Sequence, residues 1–439
     1  MKILFFAPSA YLLGGVQDWL ADLVPGIRRE GHDVTVAVPD GVFHCFESYK
    51  KKFPELACIG LRNPTGSQEG RIQCIVNCIV FIQPDLIVGV NIAALYPAVA
   101  RLRLRGAMVG KLIITLHAIE ADYLEDLCQF RAIVDAVVVT NKLTSALVAQ
   151  ESLISNERIF YAPYGVKMST SKLPLSRSGD LLRLAWVGRF EQTQKRVYDL
   201  VSILKRLDRI SFPFCLSLAG DGPEATSLQE QLQPWIRSER LRWLGRLDKH
   251  QLQHQVYNQS DVLLITSSWE TGPIVAWEAM AAGLVVVSSR YVGSGAEGAL
   301  KDGQTALLFS VGDCEAAASA IARLLDSNLR TSLTNSALEM VHHRYSDTAS
   351  LAAWLKVLSL SLELPPLPLD YPEFARFAAT VPSGRFDIWL GVTNAEYLRR
   401  FLGLNFRHLS AGSEWPHSLS GAGDNGRLLS KATQLESNA

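Results

Sequence analysis

Residues Asp261–Ser289 read DVLLITSSWETGPIVAWEAMAAGLVVVSS. An apolar run (Val262–Ile265) is followed by a polar loop with Glu270, Gly272 and Pro273, an apolar helical stretch through Met280, a break at Gly283 and a second apolar run. That is a strand–helix–strand unit, and strands apolar on both faces belong to a parallel sheet covered by helices on both sides. The same alternation extends upstream through LRLAWV (182–187), a helix to about Leu207, FCLSLAG (214–220), a helix after Pro223, LRWL (241–244) and a helix after Asp248. It also occupies the first third of the chain: KILFFA (2–7), a helix over Val16–Arg29, DVTVAV (33–38), DLIVGV (85–90), KLIITL (111–116), AVVVT (136–140) and RIFYA (158–162). Between the two series, residues 166–180 are rich in Ser, Lys and Pro without apolar periodicity, which reads as a linker. The pattern predicts an α/β protein of two Rossmann-like, doubly wound domains, 1–168 and 181–345, facing a central cleft.

Downstream, Ser346 is placed to cap a helix with the apolar stripe Leu351, Trp354, Leu355 and Leu358; such a stripe needs a partner surface, so residues 346–365 are expected to pack back on the N-terminal domain. Residues 366–439 form an extension of different character. It is aromatic-rich as far as residue 416, so residues 366–416 are expected to fold onto the body, and Thr393-x-x-Glu396 before YLRRFLGL reads as a capping box. The final stretch of about twenty residues is polar and Gly/Ser-rich, and is expected to fray.

Composition narrows the function. Forty-three basic residues balance forty-three acidic ones in 439, which removes the global basic excess of a nucleic-acid-binding chain. Seven cysteines, sparse and odd in number, suit packing in a reducing compartment better than a disulfide framework. MKILFFAPSA has too short an apolar run for a secretory core and reads as a first strand. The longest apolar stretch, Cys74–Val90, is interrupted by Gln83, Pro84 and Asp85, so no membrane-spanning segment is expected. A cytoplasmic protein is the expectation.

Chemistry concentrates at the ends of apolar runs. Glu270 and Glu278 bracket the loop Gly272, Pro273, Ile274, Val275 at a helix start, where outward-pointing amides favour a phosphate and glycine permits close approach. Glu278 could accept both hydroxyls of a ribose; equally, Glu270 could cap the helix and Glu278 face solvent. Gly188, Arg189 and Lys195 follow another strand, and two fixed cations there could neutralise charge on a departing diphosphate; the alternative is a solvated basic turn. Gly14 and Gly15 join the first strand to the first helix. A dinucleotide fingerprint would compete for that loop, but Gly-x-Gly-x-x-Gly is absent. His117 ends the strand KLIITL, either as a contact for a sugar hydroxyl or as a structural imidazole. Lys50–Lys52 and Arg101, Arg103 and Arg105 offer either anionic-headgroup contact or a solvated face.

The order WVGRF with Lys195, LAGDGPE, LGRL, the Glu270–Glu278 element with EAMAAG, and DGQTALLF resembles the retaining glycosyltransferases of family four (GT-B fold, glycosyl transferases group 1), over roughly residues 1–360. The resemblance implies transfer of a sugar from a UDP- or GDP-linked donor to a saccharide, lipid-linked or small-molecule acceptor hydroxyl, with retention of configuration. It puts Arg189 and Lys195 on the diphosphate, Glu278 on the donor ribose, Glu270 beside the transferred sugar, Gly272–Val275 at the phosphates and His117 at the sugar or acceptor. No Asp-x-Asp occurs, so a metal-independent reaction without cofactors is expected. The chain departs from the family where Tyr164-Gly165-Val166 replaces Asn-Gly-Val and where Pro273 removes one N–H from the phosphate loop. A non-catalytic sugar-nucleotide-binding or scaffold subunit on the same fold is the competing reading.

Overall fold

The computed structural model describes residues 1–10, 15–107, 109–168, 181–368, 370–421 and 423–437. The chain divides into two compact units: the first comprises residues 1–140, 144–162 and 351–429, the second 141–143, 163–350 and the chain from Ser430 onward.

In the first unit, seven parallel strands, β1 (Lys2–Phe6), β2 (Asp33–Asp40), β3 (Cys58–Arg62), β4 (Leu86–Val90), β5 (Lys111–Leu116), β6 (Ala136–Val139) and β7 (Ile159–Tyr161), lie in the order β3-β2-β1-β4-β5-β6-β7. Ile3 pairs with Val34 on one side and Leu86 on the other. The second unit repeats the plan with β8 (Leu182–Arg189), β9 (Phe214–Asp221), β10 (Leu241–Gly245), β11 (Val262–Ile265), β12 (Val285–Ser289) and β13 (Ala306–Phe309), in the order β10-β9-β8-β11-β12-β13. Both are doubly wound Rossmann-like sheets whose strand order reverses beside the first strand. That reversal opens a crevice at the carboxyl ends of β1 and β4, and of β8 and β11.

Strand alternation explains the all-apolar runs. Leu184, Trp186, Leu216, Leu218, Val262 and Leu264 pack into one core of the second unit. Their neighbours Ala185, Ala219, Leu263 and Ile265 pack into the core on the opposite face. The helix Ile274–Ala281 is seated in the second core by Ala276, Trp277, Ala279 and Met280. Trp277 stacks on Tyr345 with ring centroids 4.2 Å apart.

In the helix Asp347–Glu363, Ser346 Oγ accepts from Ala349 N at 3.1 Å. From Leu351 on this helix belongs to the first unit, where Trp354 is fully buried and lies 5.3 Å from Trp19 between ring centroids. The extension adds helices at Tyr371–Ala378, Arg385–Leu390, Val392–Leu402, Ala411–Glu414 and Asn425–Ser437. Two expectations are corrected here. Thr393-x-x-Glu396 is no capping box: the helix starts at Val392 behind Gly391 with no side-chain cap, and Glu396 is buried, accepting from Thr65 Oγ1 (2.8 Å) and Ser67 Oγ (2.6 Å). Nor does the tail fray through its length. Leu428 and Ala432, four residues apart, form a buried stripe on a helix that low mean hydropathy concealed. The Arg101 and Arg103 patch is also largely withdrawn from solvent: Arg101 pairs with Glu69 at 2.6 Å and Arg103 with Asp135 at 2.5 Å.

Among the described residues, no helix is long and apolar enough to cross a membrane. All seven cysteines are free. Cys45 is exposed rather than packed, its sulfur accepting from Ser48.

Candidate functional site

In the second unit, the chain leaves β8 at Arg189 and β11 at Ile265, the two strands flanking the reversal of strand order. The loops that follow are stitched together by backbone and side chain. Ser268 N donates to Gln194 O at 2.7 Å, Gln194 Nε2 to Trp269 O at 3.1 Å, and Thr266 Oγ1 to Lys195 O at 2.6 Å. Trp186 Nε1 in β8 donates to the same Thr266 hydroxyl at 3.1 Å. Glu191 Oε1 accepts from the amides of Gln194 and Lys195 at 2.5 and 2.8 Å, which fixes the turn that presents Lys195.

The result is an ion pair at the switch point: Lys195 Nζ lies 2.5 Å from Glu270 Oε1, with the carboxylate buried and the lysine side chain 21% exposed. Ser267 Oγ donates to the same oxygen at 2.5 Å. Two donors thus hold Glu270 in one orientation, and Glu270 N is tied to Val292 O at 3.2 Å. Gly293 (φ +110°) sits so close that a Cβ there would lie 2.7 Å from Glu270 O. Gly272 has φ +84°, the left-handed region that favours glycine, and turns the chain into the helix Ile274–Ala281. Pro273 is its N-cap and makes no side-chain cap bond, so Ile274 and Val275 supply the first amides. One turn further in, half-buried Glu278 accepts from Tyr257 Oη at 2.8 Å. Burial and the nearby Glu278 carboxylate push the Tyr257 phenol far above its ordinary pKa, so it serves that contact as a hydrogen-bond donor.

Gly188 and Arg189 are the last residues of β8, with Gly188 paired to Gly220 of β9. Arg189 is exposed and forms no ion pair with a described residue. The neighbouring Arg196 is bound to Asp199 through Nε (2.8 Å), which takes it out of the candidate cation set. The Gly220–Glu224 turn wraps Phe190: Phe190 N donates to Asp221 O and Glu224 N to Phe190 O. Of the predicted residues in this unit, Lys195 and Glu270 are in direct contact, Gly272, Pro273, Ile274, Val275 and Glu278 share one loop and helix, and Gly188 and Arg189 lie at the end of the adjoining strand. Sequence reading missed Tyr257, Ser267, Gln194 and Glu191. Ser267 lay inside the quoted motif, whereas no spacing links Tyr257 to Glu278.

In the first unit, Gly15 begins the helix Gly15–Arg29, and Gly14 lies outside the described residues. His117, just after β5, is buried, its ring centroid 4.8 Å from that of Trp19. Its Nε2 is 2.9 Å from Thr115 Oγ1, and that hydroxyl spends its proton on Gly89 O at 3.0 Å. Nε2 is therefore the protonated nitrogen and Nδ1 the acceptor. Burial lowers the His117 pKa to about 3, so the ring is neutral.

Residues 182–327 match the family described as "Glycosyl transferases group 1". A glycogen synthase of Mycobacterium tuberculosis is 32% identical over 143 residues, 33% of this chain and 34% of that protein. The lipopolysaccharide core biosynthesis glycosyltransferase LpsE of Rhizobium meliloti is 29% identical over 196 residues, 44% of this chain and 55% of that protein. The chain thus spans about a third to a half of the length of these relatives. Among solved structures, the lipopolysaccharide outer core galactosyltransferase WaaB is similar at a TM-score of 0.65 and 17% identity, with 82% of this chain and 99% of that one covered. Alr3699/HepE of Anabaena, solved with UDP and glucose, is similar at 0.64 and 18%, with 82% and 99% covered. The fold is GT-B, and within it residues 182–327 are similar to the glycosyl transferases group 1 family.

Proposed function

We propose that the protein is a glycosyltransferase that moves a sugar from a nucleoside-diphosphate sugar, UDP- or GDP-linked, to a hydroxyl of a saccharide, lipid-linked or small-molecule acceptor. The bond from the anomeric carbon to the diphosphate breaks, the bond to the acceptor oxygen forms on the same face, and the acceptor proton leaves with the diphosphate. The observation that carries this reading is the Lys195–Glu270 pair held at the switch point of the second sheet, one loop away from amides at a helix start. In this reading Lys195 turns part of its charge from Glu270 to the departing diphosphate, and Arg189 supplies the second cation. Glu278, positioned by Tyr257, accepts the ribose hydroxyls; Glu270 orients the transferred sugar; the amides of Ile274 and Val275 meet the phosphates. Permanent cations take the role a divalent metal would play, no cofactor is consumed, and the reaction runs in the cytoplasm. His117, as a neutral imidazole, contacts the sugar or an acceptor hydroxyl.

The test is release of UDP or GDP from a panel of sugar nucleotides in the presence of EDTA. Lys195→Ala and Arg189→Ala should each lower turnover by ~10²–10³, the scale of one charge-stabilising contact. Glu278→Ala should weaken nucleotide binding by about 1.5–3 kcal/mol. No nucleoside diphosphate above blank from any donor would leave the non-catalytic subunit as the correct reading, and activity restored only by Mg²⁺ or Mn²⁺ would overturn the metal-independent route.

A further inference from the structure

The helices Arg385–Leu390 and Val392–Leu402 turn on Gly391 (φ +75°) and pack on each other. Their inward side is charged: Arg399 Nη2 meets Asp387 Oδ1 at 2.6 Å with both side chains buried, and Glu396 holds Arg400, Thr65 and Ser67. Their outward side is apolar. Ile388 is 71% exposed, Trp389 77%, Tyr397 62% and Phe401 87%, and Leu409 in the following turn 92%. Tyr397 and Phe401, four residues apart, share one face of their helix, while Ala395 and Glu396 are buried. This inverts the usual arrangement of a surface helix.

The charge follows a matching pattern. Between residues 375 and 413 the only acids are Asp387 and Glu396, and both are buried in ion pairs. Every exposed charged side chain in that stretch is an arginine: Arg376, Arg385, Arg400 and Arg407. Exposed large apolar and aromatic side chains in a stretch whose exposed charges are all positive, with its acids buried, fit a layer that offers hydrocarbon beneath negative charge. Several large apolar side chains exposed on one short element, in a protein otherwise balanced in charge, mark an interaction site.

We propose that the two-helix element Arg385–Leu402, with the turn to Leu409, is a docking surface for a lipid bilayer with anionic headgroups. Tyr397, Trp389, Ile388 and Phe401 enter the headgroup–acyl boundary and the arginines pair with phosphates. The surface lies beyond the residues that resemble the glycosyltransferases, and it acts whether or not transfer occurs.

The test is co-sedimentation of the full chain with vesicles of phosphatidylcholine containing one-third phosphatidylglycerol, compared with vesicles of phosphatidylcholine alone. The protein should pellet with the anionic vesicles, and added salt should weaken this. The double variant Trp389→Glu/Phe401→Glu should lower partitioning by ~10-fold or more, since it replaces two exposed apolar side chains that enter the bilayer with charged ones. Arg385→Glu/Arg407→Glu should remove the preference for the anionic vesicles. Both pairs are exposed, and an unchanged melting curve shows that the fold is kept; Phe401→Ser alone serves if the double variant fails to fold. No pelleting above the vesicle-free blank, or equal partitioning of the variants and the parent protein, overturns the proposal. So does a dimer in sedimentation equilibrium that Trp389→Glu/Phe401→Glu dissociates, which would make the face a contact between copies, or capture of an acidic protein by a chain that ignores vesicles.

Discussion

At the scale of single residues, burial decides what His117 can do. A neutral imidazole wedged against Trp19, with Nε2 on Thr115, neither takes up nor releases a proton near neutrality. Its folded pKa of about 3 lies below the unfolded value near 6.5, so below pH 6.5 the unfolded chain binds a proton that the folded chain refuses. Stability from this group is complete above pH 6.5 and is lost as pH falls towards 3, with a limiting slope of about 1.4 kcal/mol per pH unit. His117→Gln should flatten that part of the melting temperature–pH curve, and the His117 ring should show no NMR titration between pH 5 and 8; a midpoint near 6.5 would contradict the buried placement. The sequence showed His117 at a strand end but not its depth, because depth depends on Trp19 arriving from another helix. Glu270 and Lys195 were legible as a pattern, while their contact depends on how two separate loops meet.

At the scale of elements, the strands were readable because each is apolar on both faces, and eleven of the apolar runs quoted above became the strands of the two sheets. Two of the four edge strands, β3 and β13, were not. β3 (CIGLR) is half-exposed and short, and β13 sits inside DGQTALLF, where the turn residues dominate the pattern. What holds the loop ends of β8 and β9 is backbone proximity: Gly220 has φ +148°, and a Cβ there would fall 1.8 Å from Gly188 O. Gly220→Ala must therefore break the Gly188–Gly220 register, and should cost at least about 3 kcal/mol. For a unit of this size that lowers the melting temperature by roughly 6–12 °C, measurable by calorimetry. A shift below ~1 °C would mean that the two strands separate there freely.

At the scale of the whole molecule, the extension as far as Leu429 is part of the first unit's structure. Phe374, Phe377 and Trp415 are buried, Glu414 binds the amides of Val42 and Phe43 at 2.8 Å each, and Asp126 accepts from Leu419 N and Ser420 N at 2.9 Å. Each such aromatic side chain contributes about 1.5–3 kcal/mol by burial, against a total stability of only about 5–15 kcal/mol for a domain. Deleting residues 366–437 should thus bring the first unit close to unfolding at 37 °C, seen as a separate low-temperature transition in calorimetry; a deletion variant that melts with the full chain would show the extension to be an ornament. The aromatic content of residues 366–416 pointed to packing on the body, but the individual contacts were not legible, since they join residues hundreds of positions apart.

The interleaved path of the chain has a consequence for synthesis. The first unit includes residues 351–429, so when its seven strands have left the ribosome it still lacks the helix bearing Trp354, and must wait while the entire second sheet is translated. During that interval Trp19 and the floor that Trp354 will cover face water, which makes the nascent N-terminal third a natural client for a chaperone.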